Sequence, residues 1–385
     1  MLDLKALSHP LILDGATGTG LQKRGMPAGC CTEEWVLAHP EALLELQRSY
    51  VAAGTQALIA PTFGANRIML SRHGLGERVG AYNRRLVALS REAADGRAFV
   101  LGDLSPTGLT LGDGDCALFE RLFENFREQA EVLEAAGVDA FLVETQMALC
   151  ETRAAVTAVR EVSKKPLLVS FTLGASGKLL SGGDLCAALF ALESFGIDAF
   201  GVNCVGDLPL LIDAIAALRK VTALPLIAKP NAGLPVTTEG GVRYTLSPEE
   251  LAEAGEKLAK AGASLIGGCC GTDERHIRAL TGRVGALPLP KADAPSREWI
   301  CSEYASVPLD TLDLAALPEL APDGEAEELC EDAPAVRITI HERSELDALL
   351  EAQISLRVPT VVSIPEGELR RDFLRYYRGR AKLLP

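Results

Sequence analysis

The 385-residue sequence has little positive charge and no long apolar run. Its 38 Lys and Arg residues are outnumbered by 52 Asp and Glu residues, which gives a formal net charge of −14 at pH 7. Because an acidic chain does not attract a phosphate backbone, the composition argues against sequence-independent binding of nucleic acid. No run of about 18 apolar residues is present to span a bilayer, which argues against a membrane protein. The hydrophobic content of 48% is that of an ordinary globular protein.

The N-terminus lacks the basic start and the apolar stretch of a secretory signal. We therefore expect the chain to stay in the reducing cytosol. In that compartment the ten cysteines are expected to be thiols or metal ligands and not disulfides.

Short apolar segments rich in Val, Ile, Leu and Ala alternate with amphipathic segments over residues 1–290. This alternation is typical of parallel strands that are buried on both faces. Eight βα units in about 280 residues predict an α/β fold of the (β/α)8 TIM barrel type. A doubly wound sheet fits less well, because Gly15–Gly20 lacks the glycine spacing of a dinucleotide-binding loop. The eight predicted strands are Leu11–Asp14, Ala57–Thr62, Ala98–Leu104, Ala140–Glu144, Leu167–Thr172, Ala199–Cys204, Pro225–Pro230 and Ser264–Cys269.

Two further segments follow the predicted barrel of residues 1–290. Residues 291–335 carry twelve acidic and two basic side chains, and we predict that they form a solvated acidic connector. Residues 336–385 are predicted to form a small α/β unit of βαβαβ order. A unit of this size is expected to dock on the barrel or on another protein. Its predicted elements are Val336–Ile340, Ser344–Gln353, Thr360–Ile364, Gly367–Tyr377 and Arg380–Leu384.

Polar residues stand at the predicted ends of all eight barrel strands. In a (β/α)8 barrel these C-terminal strand ends and the loops after them form the active face. The sequence therefore predicts a functional site at that end of the barrel. The residues are Asp14, Thr62, Asp103, Glu144, Thr172, Asn203, Cys204, Lys229, Asn231, Cys269 and Cys270.

Three of these cysteines are predicted to hold one metal ion. Adjacent residues on a regular strand point to opposite faces, so Cys269 and Cys270 can share an ion only where the backbone leaves strand geometry. The glycines of Gly267–Thr272 permit that departure. Cys204 ends the sixth strand as Cys269 ends the eighth, and these strand ends are near neighbours in a closed barrel. Three thiolates with an open fourth position are typical of a catalytic Zn²⁺ site.

Other interpretations of the cysteines remain open. A thiol at a strand end often serves only for packing, and Cys269 and Cys270 could also form a vicinal disulfide. Cys30 and Cys31 are a second adjacent pair, but the spacing places no third partner near them. His276 could supply a fourth ligand, although its position fits a capping role at the start of the last barrel helix better.

Six motifs follow one another in order within residues 8–285: Asp14–Thr19, Thr62–Asn66, Val143–Thr145, Val202–Cys204, Pro230–Pro235 and Gly267–Thr272. Together they resemble the homocysteine S-methyltransferase family. The family includes the homocysteine-binding module of cobalamin-dependent methionine synthase and the enzymes that use betaine or S-methylmethionine. Pro61, Met147 and Ala148 depart from the family pattern and leave the methyl donor open.

The resemblance implies an S-methyltransferase enzyme that forms methionine. It implies that Cys204, Cys269 and Cys270 bind Zn²⁺ and that the sulfur of homocysteine takes the fourth position. Since a free thiol has a pKa of about 8.5 and a zinc-bound thiol is deprotonated, this arrangement would present a nucleophilic thiolate at pH 7. The thiolate would then attack a methyl group.

The resemblance also implies a set of residues that bind the amino acid. Asp14 and Glu144 match family positions that hold the substrate, and a carboxylate facing an ammonium is a charge-assisted contact. Backbone N–H groups of Gly15 and Ala16 are candidates to bind the substrate carboxylate. Asn203 is a further candidate substrate-binding residue.

The sequence contains no recognisable site for the methyl donor. We expect the donor to be either a separate methyl-corrinoid protein, which would carry cobalamin, or a small sulfonium or ammonium compound. Two alternative functions stay open: a non-catalytic zinc-thiolate barrel that serves as an assembly subunit or amino-acid sensor, and a methyltransferase for another thiol or a selenol.

Overall fold

The computed structural model describes residues 2–109, 116–238, 241–290, 297–323 and 332–384. In chain order its strands are β1 (Leu11–Ile12), β2 (Ala57–Ile59), β3 (Phe99–Leu104), β4 (Ala140–Gln146), β5 (Leu167–Phe171), β6 (Ala199–Asn203), β7 (Leu226–Lys229), β8 (Val236–Thr238), β9 (Gly241–Arg243), β10 (Ala263–Ile266), β11 (Trp299–Cys301), β12 (Ser306–Pro308), β13 (Val336–Thr339), β14 (Thr360–Ser363) and β15 (Lys382–Leu384).

The helices are α1 (Gly18–Gln22), α2 (Thr32–Ala38), α3 (Pro40–Ala53), α4 (Arg67–Ser71), α5 (Val79–Ala94), α6 (Cys116–Ala135), α7 (Leu149–Val162), α8 (Leu185–Glu193), α9 (Leu208–Arg219), α10 (Pro248–Ala261), α11 (Glu274–Val284), α12 (Arg343–Ala352) and α13 (Glu368–Tyr376). Gly76–Arg78 and Leu309–Thr311 form short 3₁₀ helices. In the described parts of the chain, no helix combines the length and the apolar character needed to cross a membrane.

Eight strands form one parallel sheet that closes into a barrel. Their order in the sheet is β1-β10-β7-β6-β5-β4-β3-β2. A parallel bridge between Leu13 and Ala57 joins the two outer strands of that order and completes the ring. Each strand predicted from the sequence overlaps one of these eight, so the prediction of a (β/α)8 barrel is confirmed.

Alternate residues of the barrel strands face two different cores. Leu101, Leu142 and Ile227 belong to the cluster that fills the barrel interior. Their neighbours Val100 and Phe141 belong to the large cluster between the strands and the surrounding helices. Because side chains alternate along a strand, the residue two positions after an interior leucine or isoleucine also points inward. This alternation brings the polar residues at the strand ends to the mouth of the barrel.

The C-terminal unit contains a parallel sheet in the order β13-β14-β15 with helices α12 and α13. Ile338, Leu346, Val362 and Phe373 are fully buried in its own apolar cluster. All five elements predicted for residues 336–385 are present. The division of the chain at residues 290 and 335 stays a prediction.

The segment predicted as a solvated connector is partly folded. Strands β11 and β12 form an antiparallel hairpin within it. The Trp299 ring stacks on Phe190 of α8 at a centroid distance of 4.5 Å, and Cys301 is fully buried in the barrel's apolar cluster. The apolar residues of β11 explain why this part is folded and not solvated, because they form a short buried strand within an otherwise acidic segment. Residues 291–296 and 324–331 of the predicted connector lie outside the described residues.

The C-terminal unit docks on the outer helices of the barrel. Arg375 of α13 donates hydrogen bonds to Glu120 of α6, and Tyr376 packs edge-on against the Phe119 ring. Arg153 of α7 is buried, and it points its guanidinium at the end of α13. There it donates hydrogen bonds to the backbone carbonyl groups of Leu374, Arg375, Arg378 and Gly379.

Candidate metal centre and substrate cavity

Three thiols meet at the mouth of the barrel. Cys204 directly follows β6, and Cys269 and Cys270 follow β10. Their sulfur atoms all lie within 4.8 Å of one another, and the Sγ atoms of Cys204 and Cys270 are 3.9 Å apart. In a tetrahedral site with Zn–S bonds of about 2.3 Å, two sulfur ligands lie about 3.8 Å apart. The spacing of these thiols therefore fits three ligands of one zinc ion.

The backbone leaves strand geometry where these cysteines stand. Cys204 has a left-handed conformation with φ of +59°, which is rare for a residue with a side chain. A Cβ at Gly267 would lie 2.7 Å from the Cβ of Leu13, and a Cβ at Gly268 would collide with the Thr272 side chain. A side chain would therefore clash at these two positions. Gly271, directly after Cys270, has a φ of +83°, a left-handed conformation that glycine permits, as the sequence predicted for a glycine beside the adjacent cysteines.

The three thiols form one connected group, in which the pKa of Cys270 is lowered and the pKa values of Cys204 and Cys269 are raised, so the group favours a single negative charge. Hydrogen bonds with Cys204 and Cys269 hold the pKa of Cys270 well below its ordinary value. A hydrogen bond with the Tyr244 phenol acts in the same direction. Soft thiolate donors with this spacing suit Zn²⁺. Among the described residues, they are the one group of three His, Cys, Asp or Glu side chains close enough to hold an ion.

The other residues considered as ligands lie elsewhere. His276 receives a hydrogen bond from the Asp273 backbone N–H at its Nδ1, and its Nε2 lies 3.0 Å from the carbonyl oxygen of Leu246. Both ring nitrogens are thus engaged at the start of α11, as expected for a capping residue. The thiol of Cys30 contacts the Pro27 carbonyl, and the thiol of Cys31 lies 3.4 Å from Oε2 of Glu33.

A cavity of about 270 Å³ lies beside the three thiols. Its lining includes both apolar groups, such as Ile59 and Phe63, and a set of buried charged side chains. An apolar pocket with a few convergent polar groups is the usual form of a small-molecule site. The charged residues of the lining are Asp14, Glu33, Asp103, Glu144 and Lys229.

Asp14 lies in the cavity wall after β1 and is 1% exposed. Its Oδ2 accepts a hydrogen bond from the backbone N–H of Ile59 at 2.9 Å. Burial raises the pKa of Asp14 to about 7, because the charged carboxylate is removed from water. A positive group that entered the cavity would favour the ionised form.

Glu144 and Lys229 form a buried ion pair that crosses the barrel. Nζ of Lys229 lies 2.7 Å from Oε2 of Glu144, and the two side chains are 3% and 11% exposed. Burial disfavours the charged form of Lys229, but Glu144, Cys269 and Asp14 together raise its pKa above the ordinary value. The lysine therefore stays charged and holds the Glu144 carboxylate.

Asp103 is another buried carboxyl group in the same cavity. Its pKa lies well above the ordinary value because of burial and the nearby Glu144 charge. The sequence placed Asp103 and Lys229 at strand ends but gave neither of them a role in the site. The alternation of side chains along β3 and β7 could have indicated their role. Asp103 and Lys229 stand two positions after Leu101 and Ile227, which face the barrel interior, so they face the interior as well.

The remaining predicted substrate-binding residues all lie near the cavity. Gly15 and Ala16 are part of its lining, and the N–H of Ala16 donates to Oγ1 of Thr272 at 3.1 Å. The amide of Asn203 bonds to the backbone N–H and the hydroxyl of Thr145. Asn203 thus ties the end of β6 to the end of β4. Binding of substrate by these residues stays a prediction.

Comparison with known families gives a match over the barrel. A family model described as homocysteine S-methyltransferase matches residues 11–284. The chain is 32% identical to methionine synthase of Mycobacterium tuberculosis (strain ATCC 25618 / H37Rv) over 328 residues, which cover 79% of this chain and 27% of that protein. It is also 32% identical to methionine synthase of Mycobacterium leprae (strain TN), covering 77% of this chain and 26% of that protein. The chain spans about a quarter of the length of these curated relatives.

Solved structures give a matching result. The metallated form of the homocysteine methyltransferase MmuM from Escherichia coli superposes with a TM-score of 0.61 at 29% identity. The oxidised form of the same protein gives a TM-score of 0.60 at 27% identity. Each match covers 71% of this chain and 96% of the MmuM chain.

Proposed function

Because the chain belongs to the homocysteine S-methyltransferase family, we propose that it is a zinc-dependent enzyme that methylates the sulfur of homocysteine and forms methionine. The observation that carries this proposal is the meeting of three thiols beside a cavity that holds buried carboxyl groups. The thiols suit a metal ion, and the carboxyl groups suit the ammonium of an amino acid. Homocysteine contains both a thiol and an ammonium group.

Cys204, Cys269 and Cys270 would hold the zinc ion. A bound zinc ion lowers the pKa of a coordinated thiol, so that the thiolate is available at neutral pH. The chain's own contribution is to place three reduced thiols within 4.8 Å of one another and to leave room for a fourth ligand on the cavity side. The need for reduced thiols favours a cytosolic setting.

The cavity would orient the amino-acid part of the substrate. Asp14 and Glu144 would supply negative charge for the ammonium, and Lys229, at 2.7 Å from Glu144, counteracts the effect of burial and favours the ionised form of that carboxyl group. Gly15 lies on the same wall, and its backbone N–H is a candidate to bind the substrate carboxylate. The N–H of Ala16 already donates to Thr272, so Ala16 contributes only to the lining of the cavity. Asn203 would act on the substrate by fixing the chain at Thr145, next to Glu144.

The methyl donor is proposed only by class. It is either a separate methyl-corrinoid protein or a small sulfonium or ammonium compound. The similarity to the methionine synthases covers about a quarter of those proteins and does not choose between these donors. Either donor has to bring its methyl group to the sulfur at the mouth of the barrel.

Methyl transfer with purified protein tests the proposal. The zinc-loaded full chain is incubated with homocysteine and a panel of isotopically labelled donors, including methylcobalamin, S-methylmethionine and betaine. We expect labelled methionine with at least one donor and none with Cys269→Ser. Cys186→Ser is the matched control, because Cys186 lies on α8 away from the three thiols. Homocysteine binding without turnover for any donor would favour the sensor alternative.

A further inference from the structure

Hydrogen bonds join two neighbouring loops at the mouth of the barrel. We call residues 14–19, which follow β1, the β1 loop, and residues 267–272, which follow β10, the metal loop. Strands β1 and β10 are neighbours in the sheet, and the backbone N–H of Gly268 donates to the carbonyl oxygen of Asp14 at 2.9 Å. The β1 loop lines the cavity, and the metal loop carries two of the three thiols. The contacts between these loops therefore decide how the two parts of the site lie relative to each other.

The side-chain hydroxyl of Thr272 links the β1 loop to Cys269. Its Oγ1 accepts a hydrogen bond from the backbone N–H of Ala16 at 3.1 Å and donates one to the carbonyl oxygen of Cys269 at 2.7 Å. A hydroxyl group has one donor and two acceptor sites, so it can make both bonds at once. Thr272 is 1% exposed, and its side chain packs against Gly268, where a Cβ would collide with it. The hydroxyl is thus held in one position between the two loops.

Tyr50 of α3 fixes the other side of the Ala16 backbone. Its hydroxyl donates to the carbonyl oxygen of Ala16 at 2.8 Å and lies 3.5 Å from the carbonyl oxygen of Thr272. Tyr50 is fully buried, and a Cβ at Gly15 would lie 2.8 Å from its ring. The Ala16 backbone is therefore enclosed, and loss of the Thr272 hydroxyl would leave its N–H buried without that acceptor, which is unfavourable.

Homocysteine would have to reach both loops at once, with its sulfur at the metal ion and its amino-acid part at the β1 loop. We propose that Thr272 is a positioning residue, whose one hydroxyl fixes the backbone of Ala16 in the β1 loop and the backbone of Cys269 in the metal loop. Thr272 is not part of the cavity lining, so it acts through these two residues. The inference rests on the proposed function, because that function assigns a zinc ion to Cys269 and the amino-acid part of the substrate to the β1 loop.

Two substitutions separate the role of the hydroxyl from the packing of the side chain. Thr272→Val keeps the shape and removes the hydroxyl, whereas Thr272→Ser keeps the hydroxyl and removes the methyl group. The zinc affinity of the full chain is measured by competition with a chelator in the presence of a reductant. Hydrogen exchange in residues 14–19 is measured by mass spectrometry with zinc at saturation, so that weaker zinc binding does not itself change the exchange.

Thr272→Val should weaken zinc binding by about 10- to 100-fold, the usual effect of losing a group that orients a metal ligand. It should also speed exchange in the β1 loop by about 2- to 12-fold, which is the effect of one lost hydrogen bond. Thr272→Ser should behave as the wild-type protein in both measurements. Thr281→Val is the matched control: the Thr281 hydroxyl donates to the Ile277 carbonyl oxygen within α11 at 2.8 Å, so its loss should change neither value.

Equal losses in the valine and serine proteins would assign the effect to packing and would overturn the inference. A change in zinc affinity without faster exchange in the β1 loop, or the reverse, would show that the hydroxyl serves one loop alone and would also overturn it, as would no change in either value. Thr272→Ala is a second variant, with the same two expected effects, for use if the valine protein does not fold. If the wild-type protein binds no zinc, the proposed function itself fails.

Discussion

Replacement of Lys229 by methionine should destabilise the barrel strongly. The change removes the cation that lies 2.7 Å from Glu144, at a place where both side chains are almost fully buried. Breaking one partner of a buried pair typically costs about 3–5 kcal/mol, because the other charge is left uncompensated. At roughly 2 °C per kcal/mol for a barrel of this size, the melting temperature should fall by about 6–10 °C.

The loss should depend on pH in a definite direction. Burial already raises the pKa values of Asp14, Asp103 and Glu144, and removal of the lysine raises them further. An acid whose pKa is raised by folding contributes stability that is present below its unfolded pKa and is lost as the pH rises through its folded pKa. The difference between the variant and the wild-type protein should therefore be small near pH 5 and largest near pH 8.5.

The measurement is thermal unfolding of both proteins at pH 5, 7 and 8.5, in the presence of a chelator and a reductant. Lys260→Met is the matched control. Lys260 pairs with Glu256 at 2.6 Å on an exposed helix surface, and such pairs contribute less than about 1 kcal/mol. A Lys229→Met protein that melts within 2 °C of the wild-type protein at pH 8.5, or one whose deficit is the same at all three pH values, would refute the reasoning.

Three further predictions concern Cys269, Asp14 and Arg153. Cys269→Ser should abolish stoichiometric zinc without unfolding the barrel, whereas Cys186→Ser should keep one zinc per chain by metal analysis; full retention in the first variant would be inconsistent with the assigned ligand. Asp14→Asn should stabilise the metal-free protein above pH 7 and have little effect near pH 4, because a pKa raised from 3.8 to about 7 corresponds to about 4 kcal/mol at 1.36 kcal/mol per unit; a gain in melting temperature that does not grow with pH would contradict this. Arg153→Met should speed hydrogen exchange in residues 368–384 while zinc binding is retained, because the carbonyl groups at the end of α13 lose their donor; unchanged exchange would show that other contacts suffice to hold the C-terminal unit.

The barrel and the irregular backbone at Cys269 and Cys270 could be predicted because their signals are local. The apolar strands follow one another along the chain. The adjacent Cys269 and Cys270 are flanked by glycines, and these glycines indicate an irregular backbone at that position. The pairing of Lys229 with Glu144 joins residues 85 positions apart and arises only when the barrel closes. The alternation along β7 indicates that Lys229 points inward, but it does not indicate which carboxylate the lysine meets.

The hairpin in the acidic segment was missed for a different reason. The average composition of residues 291–335 is acidic, and it conceals the three apolar residues of β11. Their burial depends on Phe190 of α8, which lies more than a hundred positions earlier in the chain. The docking of the C-terminal unit likewise depends on the buried Arg153 of α7. A pattern within one segment cannot reveal such partners.

X-ray absorption at the zinc edge tests the central claim most directly. The zinc-loaded full chain is measured without and with saturating L-homocysteine. The account predicts three protein sulfur ligands from Cys204, Cys269 and Cys270, and a fourth sulfur at about 2.3 Å after homocysteine is added. A sulfur count that does not change on addition of homocysteine, or a zinc ion with fewer than three sulfur ligands, would contradict it.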